Sequence, residues 1–335
     1  MTYSASVASI SHYIKARLRR SLKAKQVKYD LLRPELKCAR HVVICVIRDE
    51  GYRLAFFLQY YRDIGFEHFI CIDNGSTDGT AEQLSRFDDV SLLSASGSYK
   101  AARFGNDWIN EVIGRYCQGK WVLYVDADEF LVYPHCDTQP ISQLTAYMDS
   151  VGSRSLRSVM VDMYSHHPIV ENVCEPGQNP LAVCNLFDRS GYVSHFDKRN
   201  RTIWIKGGVR GRVYFQGHIW DGPALNKIPL VYVVGECLFL KSSHQVWPLS
   251  LNLGDMRGAL SVSGALLHFK FLSTFVHKVR SPYTEEYTLY SSGKDTHNFL
   301  YDDTGVYKNW KDLSDHGLIQ GEGWKYWKNV SDCEI

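Results

Sequence analysis

From residue 41 onward, short apolar segments alternate with helical patterns, and no other feature of the sequence restricts the fold as strongly. The predicted elements, in chain order, are strands over 41–47 and 68–73 with a helix over 52–64 between them, a helix containing Gln83 and Leu84, a strand over 90–93, a helix over 108–116 and a strand over 121–125. This alternation predicts an α/β protein with a doubly wound, mainly parallel sheet and right-handed crossovers. Ligands bind such sheets at the carboxyl ends of the strands. We therefore expect the functional site where the predicted strands end.

The stretch WVLYVDADEF (121–130) ends an apolar strand in a cluster of acidic residues. Asp126 and Asp128 are two positions apart, so their side chains project to the same side and can share a hard divalent cation, Mn²⁺ or Mg²⁺. Such a cation can hold a diphosphate, and the small Ala127 leaves room for a ligand. An isolated D-x-D also occurs as solvated turn residues, so its meaning depends on the other strand ends.

Two earlier strands also end in polar segments. The first runs into Arg48, Asp49 and Glu50, and the second runs into DNGSTDGT (73–80). Asp73 and Asn74 are candidates for hydrogen bonds to a nucleobase or ribose, whereas Ser76 or Asp78 can cap the following helix. No G-x-G-x-x-G follows the first strand and no P-loop motif occurs, so neither a dinucleotide fold nor a P-loop NTPase is indicated.

The order of these motifs resembles family 2 glycosyltransferases of the GT-A fold, over about residues 41–165. The resemblance implies that Glu50 and Asp73 contact the nucleotide of a sugar nucleotide, and that Asp126 and Asp128 bind the metal and the diphosphate. SGALLHFKFL (263–272) resembles a segment of a bacterial branch of these transferases, in which a late His, here His268, completes the metal site. The residues that this resemblance adds to the candidate list are His244 and Asp255.

Several further residues are candidates for phosphate binding. Lys100 and Arg103, in KAARFGNDWIN (100–110), can neutralise phosphate, although surface charge at a helix start explains them equally. The segment KGGVRGRVYFQGHIW (206–220) predicts a glycine-rich turn that carries Arg210 and Arg212 towards a strand. Such a loop can bind phosphate or an acidic sugar. A hairpin with solvated charges is the alternative for that segment.

Asp162 lies among apolar neighbours in SVMVDMYS (158–165), which predicts a further strand. A carboxylate in such a setting needs a partner or has its pKa raised, and a raised pKa suits a general base. The alternative is an Asp paired with Arg154 or Arg157. Asp255 is the second candidate base. The E-D dipeptide typical of many family 2 enzymes has no clear counterpart, so retention of the anomeric configuration is the alternative to inversion.

The amino-terminal segment 1–38 contains nine Lys or Arg residues and two acids. Its four-residue apolar spacing (Ile10, Ile14, Leu18, Leu22) predicts a basic amphipathic helix. Such a helix suits an anionic membrane surface, and packing of the apolar stripe onto the main domain is the alternative. The overall charge of +2 argues neither for nor against nucleic acid, and no aromatic residues interleave with the charges.

The sequence shows no segment suited to span a membrane, no apolar signal-peptide core and no C-x-x-C pair among nine cysteines. We therefore expect a protein of the reducing cytoplasm, with a possible peripheral position on the inner face of the plasma membrane. The expected organisation is a basic leader over 1–38, a nucleotide-sugar-binding half over 39–165, an acceptor-side half over 166–279 and an aromatic-rich carboxyl-terminal extension over 280–335.

Taken with the resemblance, these observations predict an inverting, metal-dependent glycosyltransferase that moves a sugar from a nucleotide-sugar donor to a glycan or lipid-linked acceptor. Surface polysaccharide or lipopolysaccharide is the product class that the resemblance implies. Two alternatives stay open: a sugar nucleotidyltransferase, and a non-catalytic glycan-binding protein on a degenerate GT-A fold. The segment RDEGYR after the first strand differs from the Gly- and Arg-rich loop of nucleotidyltransferases.

Overall fold

The computed structural model describes residues 7–254, 261–275 and 299–322. The α-helices in these ranges are α1 Val7–Lys23, α2 Gly51–Asp63, α3 Thr80–Leu84, α4 Asn106–Tyr116, α5 Ile141–Ser150, α6 Gly208–Tyr214 and α7 Trp310–Asp315. The strands are β1 Val27–Leu31, β2 His41–Ile47, β3 His68–Asp73, β4 Val90–Ala95, β5 Trp121–Tyr124, β6 Glu129–Val132, β7 Ser155–Asp162, β8 Leu186–Asp188, β9 Tyr192–Asp197, β10 Thr202–Gly207, β11 Asn226–Tyr232, β12 Leu238–Phe239, β13 Val246–Trp247, β14 Gly264–His268 and β15 Thr304–Val306.

A nine-stranded sheet organises the described residues, in the order β1-β4-β3-β2-β5-β11-β7-β14-β6. Strands β4, β3, β2, β5, β7 and β14 point the same way, whereas β1, β11 and β6 run antiparallel to their neighbours. The predicted α/β class and mainly parallel sheet are therefore confirmed. The predicted halves 39–165 and 166–279 both contribute strands to this one sheet.

Apolar residues fill both faces of the sheet, as expected for strands covered by helices on each side. Along β2, Val43 and Cys45 belong to the core under α2, whereas Val42 and Ile44 belong to the core under α4. On α2, four buried side chains at helical spacing face the sheet: Leu54, Phe57, Leu58 and Tyr61. Full burial of each such side chain stabilises the fold by about 1.5–3 kcal/mol, so the packing of α2 on the sheet is strongly favoured.

Several predicted elements match the structure, and others differ. The strands over 41–47 and 68–73 have the predicted bounds, and Gly65, with φ of 96°, follows α2 as expected of a helix C-cap. The strand at 121 ends at Tyr124, and β7 begins three residues earlier than predicted, at Ser155.

The prediction of a turn or hairpin over 206–220 was wrong, because Gly208–Tyr214 forms helix α6. Gly207, directly before this helix, is required by a close backbone contact. At Gly207, φ is 116° and a Cβ atom would lie 2.1 Å from the Gly191 carbonyl oxygen, so only glycine fits there.

Candidate active site

One edge of the sheet gathers polar residues from both halves of the chain. The carboxyl ends of parallel strands meet at this edge, and antiparallel strands begin there. Asp162 ends β7 and His268 ends β14, while Glu129 begins β6, and the register pairs His268 with both Asp162 and Glu129. The D-x-D segment follows β5 at the same edge. The sheet therefore brings three predicted site segments, about 40–140 residues apart in sequence, to one rim.

The D-x-D segment forms a tight turn between β5 and β6. The Glu129 N–H donates to the Asp126 carbonyl at 3.0 Å, and the Asp126 N–H donates to the Glu129 carboxylate at 3.3 Å. Ala127 is buried, as its small size allows. The Asp128 carbonyl accepts a hydrogen bond from the Phe269 N–H at 2.9 Å, which attaches the turn to the residue after His268. This backbone contact keeps the D-x-D turn and His268 together.

His268 lies between two carboxylates. Its Nδ1 is 2.6 Å from Asp162 Oδ1, and its Nε2 is 3.6 Å from Asp128 Oδ2. A carboxylate on one ring nitrogen orients the imidazole and presents the other nitrogen to a metal or a proton. The structure thus directs His268 Nε2 towards the D-x-D turn.

Asp162 is held from its other side by Arg210, whose Nε donates to Asp162 Oδ2 at 2.7 Å. Both side chains are buried, and the partner is neither Arg154 nor Arg157, the residues that sequence proximity suggested. Burial opposes ionisation of Asp162, but the Arg210 guanidinium and His268 outweigh it and lower the carboxyl pKa to about 2. A carboxylate in this state is a weak proton acceptor and a strong orienting group.

A second buried ion pair stands beside the D-x-D turn. Lys227, near the start of β11, lies 2.9 Å from Glu129, and both side chains are buried. Burial alone would lower the pKa of Lys227, but the surrounding acids, first Glu129, raise it above its usual value. The site therefore contains a fixed cation that sequence patterns did not reveal.

Arg53, on the first turn of α2, connects two predicted site residues. Its Nε is 3.0 Å from Glu50 and its Nη1 is 3.5 Å from Asp128. Arg53 and Asp128 line a small cleft together with Tyr52 and Phe269. The sequence signal for Arg53 was weak, because RDEGYR identifies a strand end but not the partner of each charge.

The loop after β3 is built by its own side chains. Asp73 accepts hydrogen bonds from the backbone N–H groups of Gly75 and Ser76 at 3.1 Å, and the Asn74 amide donates to the Ala95 carbonyl at 2.9 Å. Asp78 accepts from the Gly51 N–H at 3.1 Å, which joins this loop to the loop after β2. The two predicted nucleotide-binding loops are thus in direct contact.

The other predicted nucleotide contacts differ in position. Arg48 is largely exposed, with Nε 3.8 Å from Asp49, and Lys100 is exposed on a short 3₁₀ helix. Arg103 donates to Asp107 at 2.8 Å and to the Leu240 carbonyl at 2.7 Å, so it fixes α4 against β12. Arg103 therefore stabilises this part of the fold, and its contact with the donor phosphate stays a prediction.

The predicted acceptor-side residues lie at two places. Arg210 is in the site beside Asp162, whereas Arg212 pairs with the buried Asp188 at 2.9 Å and stacks over the Tyr301 ring at 3.9 Å. His244 Nδ1 is 2.5 Å from the Asn226 carbonyl oxygen. Burial is the main cause that lowers the pKa of His244 to about 3, and the positive charge of Lys227 adds to it. Asp255 lies outside the described residues.

Arg212 borders an open cavity of about 340 Å³ next to α6. Its lining includes Tyr301, Phe215, Gln216 and Ser190. This volume falls at the lower end of the range of small-ligand sites, and the mixture of aromatic and polar side chains suits a sugar ring. Helix α6 carries Arg210 at the D-x-D site and Arg212 at this cavity, so one short element joins them.

In the described part of the chain, no group of three or more His, Cys, Asp or Glu side chains is arranged to hold a metal ion. Asp128 and His268 nonetheless offer two donor atoms 3.6 Å apart. Asp128 shares its turn with Asp126, whereas His268 comes from the end of β14. Mg²⁺ is usually held by one or two protein carboxylates together with substrate phosphates, and imidazole suits Mn²⁺ better. The donor set therefore fits a cation that arrives with a diphosphate.

No protein-family model matches this chain, and no curated protein matches its sequence. Many solved structures, three of which follow, are similar to part of it. The first is a mannosyltransferase from Pyrobaculum calidifontis in complex with GDP-Man and Mn²⁺, with 17% identity, 47% of this chain and 45% of that chain covered, and a TM-score of 0.25. The second is 4-diphosphocytidyl-2C-methyl-D-erythritol synthase, with 14% identity, coverage of 42% and 65%, and a TM-score of 0.24.

The third is a putative glucose-1-phosphate thymidylyltransferase from Bacillus anthracis in complex with a sucrose, with 9% identity, coverage of 40% and 58%, and a TM-score of 0.23. The chain spans less than two thirds of each of these proteins, and about half (45%) of the mannosyltransferase. Similarities this small establish no shared activity. The functional argument therefore depends on the geometry of the rim.

Proposed function

We propose that this protein is a metal-dependent glycosyltransferase that moves a sugar from a nucleotide-sugar donor to a glycan or lipid-linked acceptor hydroxyl. The observation that carries the proposal is the convergence of Asp128, His268 and Asp162 at the carboxyl edge of the parallel strands. His268 contacts Asp162 at 2.6 Å and Asp128 at 3.6 Å. The contact with Asp162 orients the buried imidazole, so that its other nitrogen is directed towards the D-x-D turn. This arrangement suits a site for a dication and a diphosphate.

In this proposal the donor lies along the rim. The joined loops after β2 and β3 receive the nucleotide, with Arg48, Glu50, Asp73 and Asn74 as its predicted contacts and Lys100 nearby. Asp126, Asp128 and His268 would hold Mn²⁺ or Mg²⁺, which supplies positive charge to the leaving diphosphate. Lys227 and Arg53 lie beside the same turn, where they pair with Glu129 and Asp128 and offset part of its negative charge.

The transfer itself breaks the bond between the anomeric carbon and the diphosphate oxygen, and forms a bond from the acceptor oxygen to the same carbon. The acceptor proton passes to a base, and attack from the face opposite the diphosphate inverts the anomeric configuration. Asp162 was one candidate base, but its two partners and lowered pKa support a positioning role for His268 instead. Asp255 stays the proposed base.

The cavity beside Arg212 is the proposed acceptor site. Its aromatic and polar lining supports sugar binding, and α6 connects it to Asp162 through Arg210. A lipid-linked acceptor would place the enzyme at the inner face of the plasma membrane. Surface polysaccharide or lipopolysaccharide is the proposed product class.

The test is the thermal stability of the protein with Mn²⁺ and a panel of nucleoside diphosphates. We expect one diphosphate to raise the melting temperature only with the cation, and Asp128→Ala to abolish that rise. Asp88→Ala is the matched control, because the Asp88 side chain is 93% exposed and the residue precedes the start of β4, at the edge of the sheet opposite the rim. An equal loss in both variants, or no rise with any diphosphate, would reject the proposed donor site.

The same preparation separates the alternatives. A nucleotidyltransferase would release pyrophosphate from a nucleoside triphosphate and a sugar phosphate, whereas a glycosyltransferase would release a nucleoside diphosphate from a sugar nucleotide. A glycan-binding protein would be stabilised by glycan and would not respond to cation or nucleotide.

A further inference from the structure

Helix α1 packs on the domain through a narrow face. Ser9 and Ala16 are buried, and the Tyr13 ring stacks on Trp247 with centroids 4.6 Å apart. The Ser9 hydroxyl also donates to the Arg199 carbonyl at 3.2 Å. These residues lie on one side of the helix, which is therefore the side that faces the protein.

Ion pairs determine the rotation of α1 about its axis. Arg19 and Arg20 each lie 3.1 Å from an acid of α4, Asp107 and Glu111 respectively, and both acids are almost completely buried. Rotating the helix would leave these acids without their α1 partners, which is unfavourable in a buried setting. The orientation of α1 is thus set by its charged residues.

As a consequence, the apolar stripe of α1 faces solvent. Its members are Ile10, Ile14, Leu18 and Leu22, with exposed fractions of 42%, 48%, 60% and 74%. The alternative prediction, in which this stripe packs onto the main domain, is wrong. Exposed aliphatic side chains are usually scattered singly over a protein surface. Four of them in one row form a contiguous apolar patch, and such patches mark interaction sites.

Positive charge borders the stripe on both sides. At about 100° per residue the stripe covers roughly 120° of the helix, with Arg17 next to Ile10 and Lys15 next to Leu22. Lys25 and Lys28 are exposed just beyond the helix. Residues 1–29 contain seven Lys or Arg and no Asp or Glu. Because Arg17 is already paired with Glu236 at 3.5 Å, the exposed Lys15, Lys25 and Lys28 are the cations that attract anionic groups to this face.

We propose that this face of α1 docks the protein on an anionic phospholipid surface. A row of exposed aliphatic side chains with lysines beside it matches a bilayer, in which acyl chains lie beneath a plane of negative headgroups. No helix in the described residues is long and apolar enough to cross a bilayer. In this proposal α1 lies in the interface plane, because its other side is packed on the domain. The surface is remote in sequence from the D-x-D site, and the inference stands independently of the proposed function.

The test is co-sedimentation of the full chain with phosphatidylcholine vesicles, with or without about a quarter of phosphatidylglycerol. We expect binding to the anionic vesicles that falls steeply between about 0.1 M and 1 M salt, as screening requires. Ile14→Ser with Leu18→Ser should weaken binding by roughly tenfold or more, because each buried methylene contributes about fourfold. Lys15→Gln with Lys25→Gln should weaken binding to anionic vesicles only.

The matched control is Val234→Ser, which removes an aliphatic side chain that is 51% exposed outside α1. It should leave vesicle binding unchanged, and unchanged melting temperatures would show that all variants stay folded. Vesicle binding by the Ile14/Leu18 variant that equals the wild type would overturn the proposal. So would the absence of vesicle binding together with self-association in the ultracentrifuge that the same variant abolishes, since the stripe would then bind a second copy.

Discussion

Asp162→Asn tests whether the buried carboxylate holds the rim together. The change removes the charge that faces both Arg210 and His268, at 2.7 and 2.6 Å, and leaves a guanidinium that is only 5% exposed. Breaking one side of a buried ion pair costs roughly 3–5 kcal/mol, so we expect a loss of about this size in the free energy of unfolding.

The matched control is Asp149→Asn. Its partner Arg40 lies 2.6 Å away, a comparable distance, but the two side chains are 36% and 52% exposed. An exposed pair contributes about 0–1 kcal/mol, so the control should change stability little. Urea unfolding followed by tryptophan fluorescence measures both values. Equal losses in the two variants, or a loss below about 1 kcal/mol for Asp162→Asn, would refute the reasoning from burial.

Lys227→Met should cost a similar roughly 3–5 kcal/mol, because Glu129 is left buried without its cation, and adding Glu129→Gln should recover part of the loss in the same unfolding experiment. His68 is buried, and burial lowers its pKa from 6.5 to about 4; the unfolded chain thus binds a proton that the folded chain does not, so stability should fall as pH decreases from about 6.5 to about 4. His68→Gln should flatten that part of a melting-temperature profile, and an unchanged slope would mean that His68 is not the group responsible. Gly207→Ala should destabilise the protein by more than the roughly 1 kcal/mol expected for strained backbone alone, since the added methyl group meets the Gly191 carbonyl; a calorimetric melting temperature equal to wild type would contradict this.

The strand and helix order was predictable because burial on both faces leaves a clear pattern. β2 and β3 are continuous apolar runs, and α2 places its apolar side chains at helical spacing. The direction of a strand leaves no such pattern. The antiparallel direction of β6 and β11 was therefore not predicted. This direction places Glu129 and Lys227, which lie near the starts of these two strands, at the rim.

Side-chain partners were the least predictable feature of the site. His268 and Asp162 are 106 residues apart, and Asp162 and Arg210 are 48 residues apart. Sequence proximity suggested other arginines for Asp162, because only the folded sheet brings α6 to the end of β7. The orientation of α1 has the same origin: its apolar spacing fitted a membrane surface or packing onto the domain, and only the pairing of Arg19 and Arg20 with buried acids on α4 decides between them.

The most direct test of the central claim is a panel of sugar nucleotides incubated with the protein and Mn²⁺, without acceptor, and assayed for release of nucleoside diphosphate. The account predicts slow, cation-dependent cleavage of at least one donor, which His268→Ala and Asp128→Asn both reduce strongly and Asp88→Asn leaves unchanged. If no sugar nucleotide is bound or cleaved, or if the His268→Ala and Asp128→Asn variants cleave it as fast as the wild type, the rim is not a donor site. The enzyme assignment then fails.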